Sequence, residues 1–208
     1  IRVLVRSRGL GDGYKRQGKI LAKNLGVHFY NRDLLRLASD DSGISEELFA
    51  KVDEETQKSL LYRVSKKVYD GTIIPPESDN FLSNENLFNY QAKMLNELAN
   101  RESFVVVGRA ANFVLRDRPN VISVYLYAPE EICVRRKMNL MNFSYDEAVH
   151  YVKKQNKYRR GYFTHHTGRV WEDMRNYALC IDTNELGNEG TAKLIEDFLM
   201  KRMERIPF

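Results

Sequence analysis

Cysteine is scarce in this 208-residue chain: there are two, Cys133 and Cys180, far apart. Such spacing offers no disulfide framework and suits a reducing, cytoplasmic setting, with both thiols expected as small buried apolar groups. Long apolar runs are missing too, so no segment is expected to span a membrane, and no signal segment is visible. The Gly-Lys-Ser/Thr ending of a Walker A loop does not occur. Internal repeats and low-complexity tracts are absent, which excludes solenoids and linker-like architectures. His165 and His166 have no third ligand near them in sequence, and adjacent histidines point apart on regular structure, so no metal centre is expected. What remains, with 43% hydrophobic and 29% charged residues, is the composition of one ordinary folded domain with a real core.

The chain is organised around Ser7-Arg8-Gly9-Leu10-Gly11-Asp12-Gly13-Tyr14-Lys15-Arg16-Gln17-Gly18. A short apolar strand, Ile1 to Val5, precedes it. Tyr14, Gly18, Leu21 and Leu25 then recur at helical spacing. Strand, glycine-rich turn and helix together suit a phosphate: the backbone wraps closely, its N–H groups point inward, and the helix start adds positive charge. A dinucleotide loop fits less well, because the third glycine comes one residue early and Asn31 stands where a ribose-binding acid would be useful.

Further along, Val27 to Tyr30 reads as a strand and Asp33 to Ala38 as a helix. Ser45 is expected to cap a helix through Leu48 and Val52. A long polar helix is then expected to run to Tyr69, before a loop over Ile74 to Asn80. Residues 39–84 carry no evident strand and read as a helical insertion. Asn86 to Asn100 returns to helix. Phe104 to Val107 is wholly apolar, as a central parallel strand covered on both faces must be, and Gly108-Arg109 follows at its carboxyl end. Asn112 to Leu115 is expected as helix and Val121 to Tyr127 as strand, with Pro129 opening the next helix. Ser144 and Glu147 form a capping box for a basic helix to about Tyr162. Tyr177 to Ile181 is the last strand, Asp182 to Asn184 its loop, and Gly190 to Met203 the closing helix. The alternation implies an α/β fold, a parallel sheet between layers of helices.

The net charge is +5, and the basic residues crowd the second half, at Arg135, Arg136, Lys137, Lys153, Lys154, Lys157, Arg159, Arg160 and Arg169. That crowding suits a polyphosphate ligand or nucleic acid. Phosphoryl transfer needs positioned phosphates, Mg²⁺ and positive charge around the migrating group. Lys15 and Arg16 beside the glycines, Arg109 at a strand end, and Arg135, Arg136, Arg159 and Arg160 on two helices supply such charge. A helical hairpin bearing arginines is suited to close on ATP and exclude water. Trp171, with Tyr162, Phe163 and Tyr177, reads as core rather than as a base-stacking surface.

Ser7-Arg8, Leu25 to Arg32, Val107-Gly108-Arg109, Arg116 to Val121 and Tyr162 to Trp171, in that order, resemble the cytidylate kinase-like family, a branch of the P-loop nucleoside monophosphate kinases. The resemblance covers nearly the whole chain as one domain, 1–208. It implies a three-layer α/β/α fold with a five-stranded parallel sheet, a helical monophosphate-binding insertion at 39–84 and an arginine-bearing lid at 129–171. Gly9, Gly11, Asp12, Gly13, Tyr14, Lys15 and Arg16 would then hold the donor phosphates of ATP. Arg32, Arg109 and Asn112 would bind a nucleoside monophosphate, with CMP or dCMP the expected acceptor. Lys15, Arg136 and Arg159 would act on the transferring group, Lys15 replacing the Walker charge.

The chain also departs from that pattern. Gly11-Asp12-Gly13-Tyr14-Lys15 stands where such relatives have Gly-Ser-Gly-Gly-Arg, and Asp12 puts a negative charge where phosphates should sit. Asn31, Asn112 and Asn156 replace the usual aspartates, and an amide is a poor base and a weak Mg²⁺ ligand. Cys133 stands where arginine is common. The alternative reading is therefore a P-loop protein that binds a nucleotide without transferring phosphate. A nucleic-acid module is the weaker reading of the same charge, and homo-oligomerisation is left open.

Overall fold

A computed structural model describes residues 2–7, 13–31, 33–55 and 70–205. The elements run β1 (Arg2–Ser7), α1 (Gly13–Leu25), β2 (His28–Tyr30), α2 (Asp33–Ser42), α3 (Glu46–Glu55), α4 (Asn84–Arg101), β3 (Phe104–Val107), α5 (Ala111–Val114), β4 (Val121–Tyr127), α6 (Glu130–Met141), α7 (Tyr145–Thr167), β5 (Leu179–Asp182) and α8 (Thr183–Met203). The helix expected to end at Tyr69 lies outside the described residues. The strands form one sheet in the order β2-β3-β1-β4-β5, and every neighbouring pair is parallel.

Alternation along the strands assigns the two faces. Val105 and Val107 of β3 join Ile122, Val124 and Leu126 of β4 on one face, against Leu21 and Ala22 of α1, Cys133 and Val134 of α6, Val152 of α7 and Ile195 of α8. Phe104 and Val106 turn to the other face, against Leu34 and Leu35 of α2, Phe49 of α3 and Leu87 and Leu95 of α4. Helices cover both sides, which is why β3 can be apolar at every position. Each such side chain, fully buried, contributes on the order of 1.5–3 kcal/mol.

Local chemistry sets the boundaries. Ser83 caps α4, accepting from the amide of Asn86, and Ser144 with Glu147 forms the expected capping box on α7. α7 runs five residues past the expected end near Tyr162. The buried Tyr162, Phe163, His165 and His166 hold its last turns on the core until Gly168, at φ +67°, stops it. β5 begins two residues later than expected, because Asp173 caps a single 3-10 turn over Met174–Asn176 that ends at Tyr177. α8 starts at Thr183 rather than near Gly190: Asp182 caps it, and Gly187, at φ +62°, interrupts it. Cys133 is buried as expected. Cys180, on the edge strand β5, is exposed and corrects that expectation. Among the described residues, no helix is long and apolar enough to cross a membrane.

Candidate functional site

β1 and β3 lie side by side with Val5 opposite Val107, so the segments that follow them leave from the same carboxyl edge of the sheet. After β1 the chain enters α1 at Gly13. Gly9, Gly11 and Asp12 of the glycine loop lie outside the described residues, as does Arg32. Gly13, Tyr14, Lys15 and Arg16 form the first turn of α1, which contains no acidic residue. The N–H groups at the start of a helix and the helix dipole favour an anion there. Lys15 is half-buried and Arg16 exposed.

At the end of β3, Gly108, Arg109 and Ala110 take φ values of +84°, +58° and +49° in succession. Glycine adopts this conformation readily, but for Arg109 and Ala110 it costs about 1–2 kcal/mol each. The core keeps the bend in place: Ala110 is fully buried in one cluster with Phe88, Phe113 and Trp171. Arg109 is thereby fixed, half-buried, at the sheet edge. Runs of unfavourable backbone held by surrounding packing concentrate at working sites.

Asn112 follows on α5, 7% exposed. Its Nδ2 donates to the Asn176 carbonyl at 3.4 Å, while its buried Oδ1 has no partner among the described residues. Asn176 also receives Arg169, whose Nη1 donates to Asn176 Oδ1 at 3.4 Å. The Arg169 guanidinium lies 5.3 Å from the centre of the Phe113 ring, and that of Arg116 lies 4.2 Å from it. Sequence reasoning counted Arg169 only among the basic crowd. Its signal was Gly168 ahead of it, ending a long helix, and the chain's single tryptophan two residues on, buried at 1% exposure.

The helical pair α6–α7 sorts its basic residues. Arg135 is exposed and paired with Glu131 at 3.0 Å. Lys137 is buried, its ammonium 4.7 Å above the Tyr151 ring. On α7, Arg160 Nε donates to Glu172 at 2.9 Å, and this bond holds the guanidinium more firmly charged. Arg135 and Arg160 are therefore engaged by carboxylates, while Arg136 and Arg159 are half-buried.

Between α6, α7 and the ends of β4 and β5 lies a cavity of about 250 Å³, lined by Tyr127, Ala128, Pro129, Glu130, Cys133, Val152, Asn156 and Asp182. Two of the departures noted in the sequence, Cys133 and Asn156, thus meet in one space.

The two histidines fasten α7 to α4. His165 Nε2 lies 3.3 Å from Glu85 Oε1, and this hydrogen bond is the main reason the Glu85 carboxyl is held down to about 2. His166 stacks on Phe88 with ring centres 4.1 Å apart. Among the described residues, no group of three His, Cys, Asp or Glu side chains is placed to hold a metal ion.

This architecture is an α/β kinase-like fold. A solved structure of a protein from Eubacterium ventriosum ATCC 27560, described as uncharacterized, aligns over 97% of this chain and 98% of its own, with 22% identity and a TM-score of 0.70. A shikimate kinase from Bacteroides thetaiotaomicron aligns over 96% and 98%, with 14% identity and a TM-score of 0.52. No curated protein matches the chain by sequence. Residues 6–185 match the Cytidylate kinase-like family, and the chain belongs to that family.

Proposed function

We propose that the protein transfers the γ-phosphate of ATP, carried as its Mg²⁺ complex, to a nucleoside monophosphate, CMP or dCMP first among them. One observation carries the reading: adjacent parallel strands present the start of α1, with Lys15 and Arg16, and the strained Gly108-Arg109-Ala110 bend at one edge of the sheet. Donor and acceptor phosphates need this juxtaposition, because phosphoryl transfer is catalysed mostly by positioning and by neutralising charge.

In this reading the glycine loop and the first N–H groups of α1 hold the donor phosphates, and Lys15 supplies the cation that a Walker lysine would. Arg109 binds the acceptor phosphate with Arg32, and Asn112 contacts the acceptor's base or sugar. The cavity beneath α6 and α7, lined by Tyr127 and the apolar Pro129 and Val152 among others, takes the donor base. Residues 39–84 serve as the acceptor-binding insertion and 129–171 as the lid. Arg136 and Arg159 close over the migrating group and exclude water. Mg²⁺ asks little of the chain, since it keeps most of its ligands as phosphate oxygens and water.

Lys15→Ala and Arg109→Ala should each lower kcat/KM by about 10- to 100-fold, the loss expected when a charge-assisted hydrogen bond disappears, with the fold intact by circular dichroism. Wild-type rates in both variants would remove the assignment. Cys133 and Asn156, which line the cavity and depart from the family pattern of arginine and aspartate, favour a second reading, a nucleotide binder without turnover. Restoring aspartate at Asn31, Asn112 and Asn156 separates the two, since a weakened kinase gains rate and a dedicated binder does not.

A further inference from the structure

We propose that His165 and His166 form a proton-operated clasp: a second proton on the pair parts the end of α7 from α4 and releases the Gly108-Arg109-Ala110 bend. The clasp acts on the sheet edge itself and does not depend on which ligand that edge holds.

The last turn of α7 buries both histidines, at 6% and 1% exposure. Their ring centres lie 4.7 Å apart, nearly edge to face. His165 Nε2 meets Glu85 Oε1 at 3.3 Å, in the first turn of α4. His166 lies flat on Phe88, three residues further along α4, with ring centres 4.1 Å apart, and the Tyr162 ring is 4.6 Å away.

Histidine ordinarily changes charge near pH 6.5, so the pair sits where modest acidification acts. One proton suits it, between a carboxylate and a helix end whose dipole favours a cation. A second would put positive charge on both of two buried, adjacent rings, where each charge raises the cost of the other. Glu85 does not relieve this by titrating. Its hydrogen bond with His165 is the main reason its carboxyl is held down to about 2, so it stays ionised while the rings change charge. Around the pair, among the described residues, the same cluster holds Tyr162 of α7 and Tyr125 of β4, and a phenol titrates only near pH 10. The Arg116 and Arg169 guanidiniums lie over the Phe113 ring of that cluster and add to the cost of further positive charge. An opened clasp solvates both rings and takes the second proton freely. The clasp therefore holds above the histidine range and is lost as pH falls through it.

Opening reaches the sheet edge through Phe88. This ring packs in one cluster with Ala110, Phe113 and Trp171. That packing holds Gly108, Arg109 and Ala110 at φ values of +84°, +58° and +49°, a run that persists only while its surroundings enforce it. When His166 leaves, one face of Phe88 is bared and the bend loses support. Arg109 then leaves its fixed place.

The chain carries its own reporter, because its single tryptophan, Trp171, is buried at 1% exposure in this cluster. The test follows Trp171 emission from about pH 8 to 5. Beside it, hydrogen-exchange protection is measured at the Ala111 and Phe113 amides, which donate to the Gly108 and Ala110 carbonyls. In wild type the emission should shift to the red below about pH 6.5, and protection should fall about ten-fold per pH unit, while far-UV circular dichroism holds. His166→Phe keeps a ring on Phe88 without a proton. His165→Gln keeps a donor for Glu85 and leaves one titratable ring. Neither variant should show the shift, and His165→Gln decides alone should His166→Phe fail to fold. A wild-type emission that stays fixed across this range overturns the proposal. So does a shift retained in either variant, or one that coincides with loss of helical dichroism.

Discussion

Arg109 is the residue at which backbone and chemistry can be separated. Its left-handed conformation costs about 1–2 kcal/mol, and glycine would remove that at an entropic cost of about 0.5–1 kcal/mol. Arg109→Gly, which relieves that strain, should stay within about 1 kcal/mol of wild type in urea unfolding while losing turnover as Arg109→Ala does. Destabilisation by more than about 1 kcal/mol would show that the side chain holds the fold, not the substrate. The sequence marked this position through Gly108-Arg109 at the end of an apolar strand, so the place of Arg109 at the sheet's carboxyl edge was legible in advance. Gln91 was not. A glutamine within an amphipathic helix such as α4 is ordinary in sequence, and only tertiary packing shows this one buried at 1% exposure with both amide atoms unmatched among the described residues. Arg160 erred the other way: it looked like mobile charge because Glu172, twelve residues on, gave no sign that it would bind it.

Two junctions between elements carry testable energy. Where α1 crosses the sheet, a Cβ at Gly18 would come within 2.7 Å of the Phe29 ring and 3.3 Å of Val107. Gly18→Val adds two methyl groups and a β-branched side chain there, and should cost about 2 kcal/mol in denaturant unfolding. Wild-type stability would mean that Phe29 swings clear. The second junction joins the first turn of α4 to the last turn of α7 through Glu85 and His165, with His166 beside them. The hydrogen bond from His165 lowers the folded-state carboxyl of Glu85 from 4.5 to about 2, so it contributes stability that is present above 4.5 and lost as pH falls toward 2. Across that window Glu85→Gln should lose stability less steeply than wild type in pH-dependent melting. Equal slopes would show that the pair does not join the helices. Sequence periodicity found α4 and α7 and the capping box of α7, but the Ser83 cap of α4 and the reach of α7 to Thr167, which depended on partners on α4, showed in no local pattern.

For the whole molecule, the alternation of apolar strands with amphipathic helices was enough to read the layered α/β class, because burial on both faces forces β3 to be apolar throughout. The strand order, which brings β1 beside β3 and so Lys15 to the same edge as Arg109, follows from chain crossings that sequence does not specify. That placement is the basis of the functional account, and one assay addresses it directly: ADP release from ATP·Mg²⁺ with CMP, dCMP, UMP, AMP and GMP as acceptors. The account predicts turnover with at least one monophosphate, CMP or dCMP first, and its loss in Lys15→Ala. ATP binding by calorimetry without turnover on any of the five would contradict it and leave a nucleotide binder in its place.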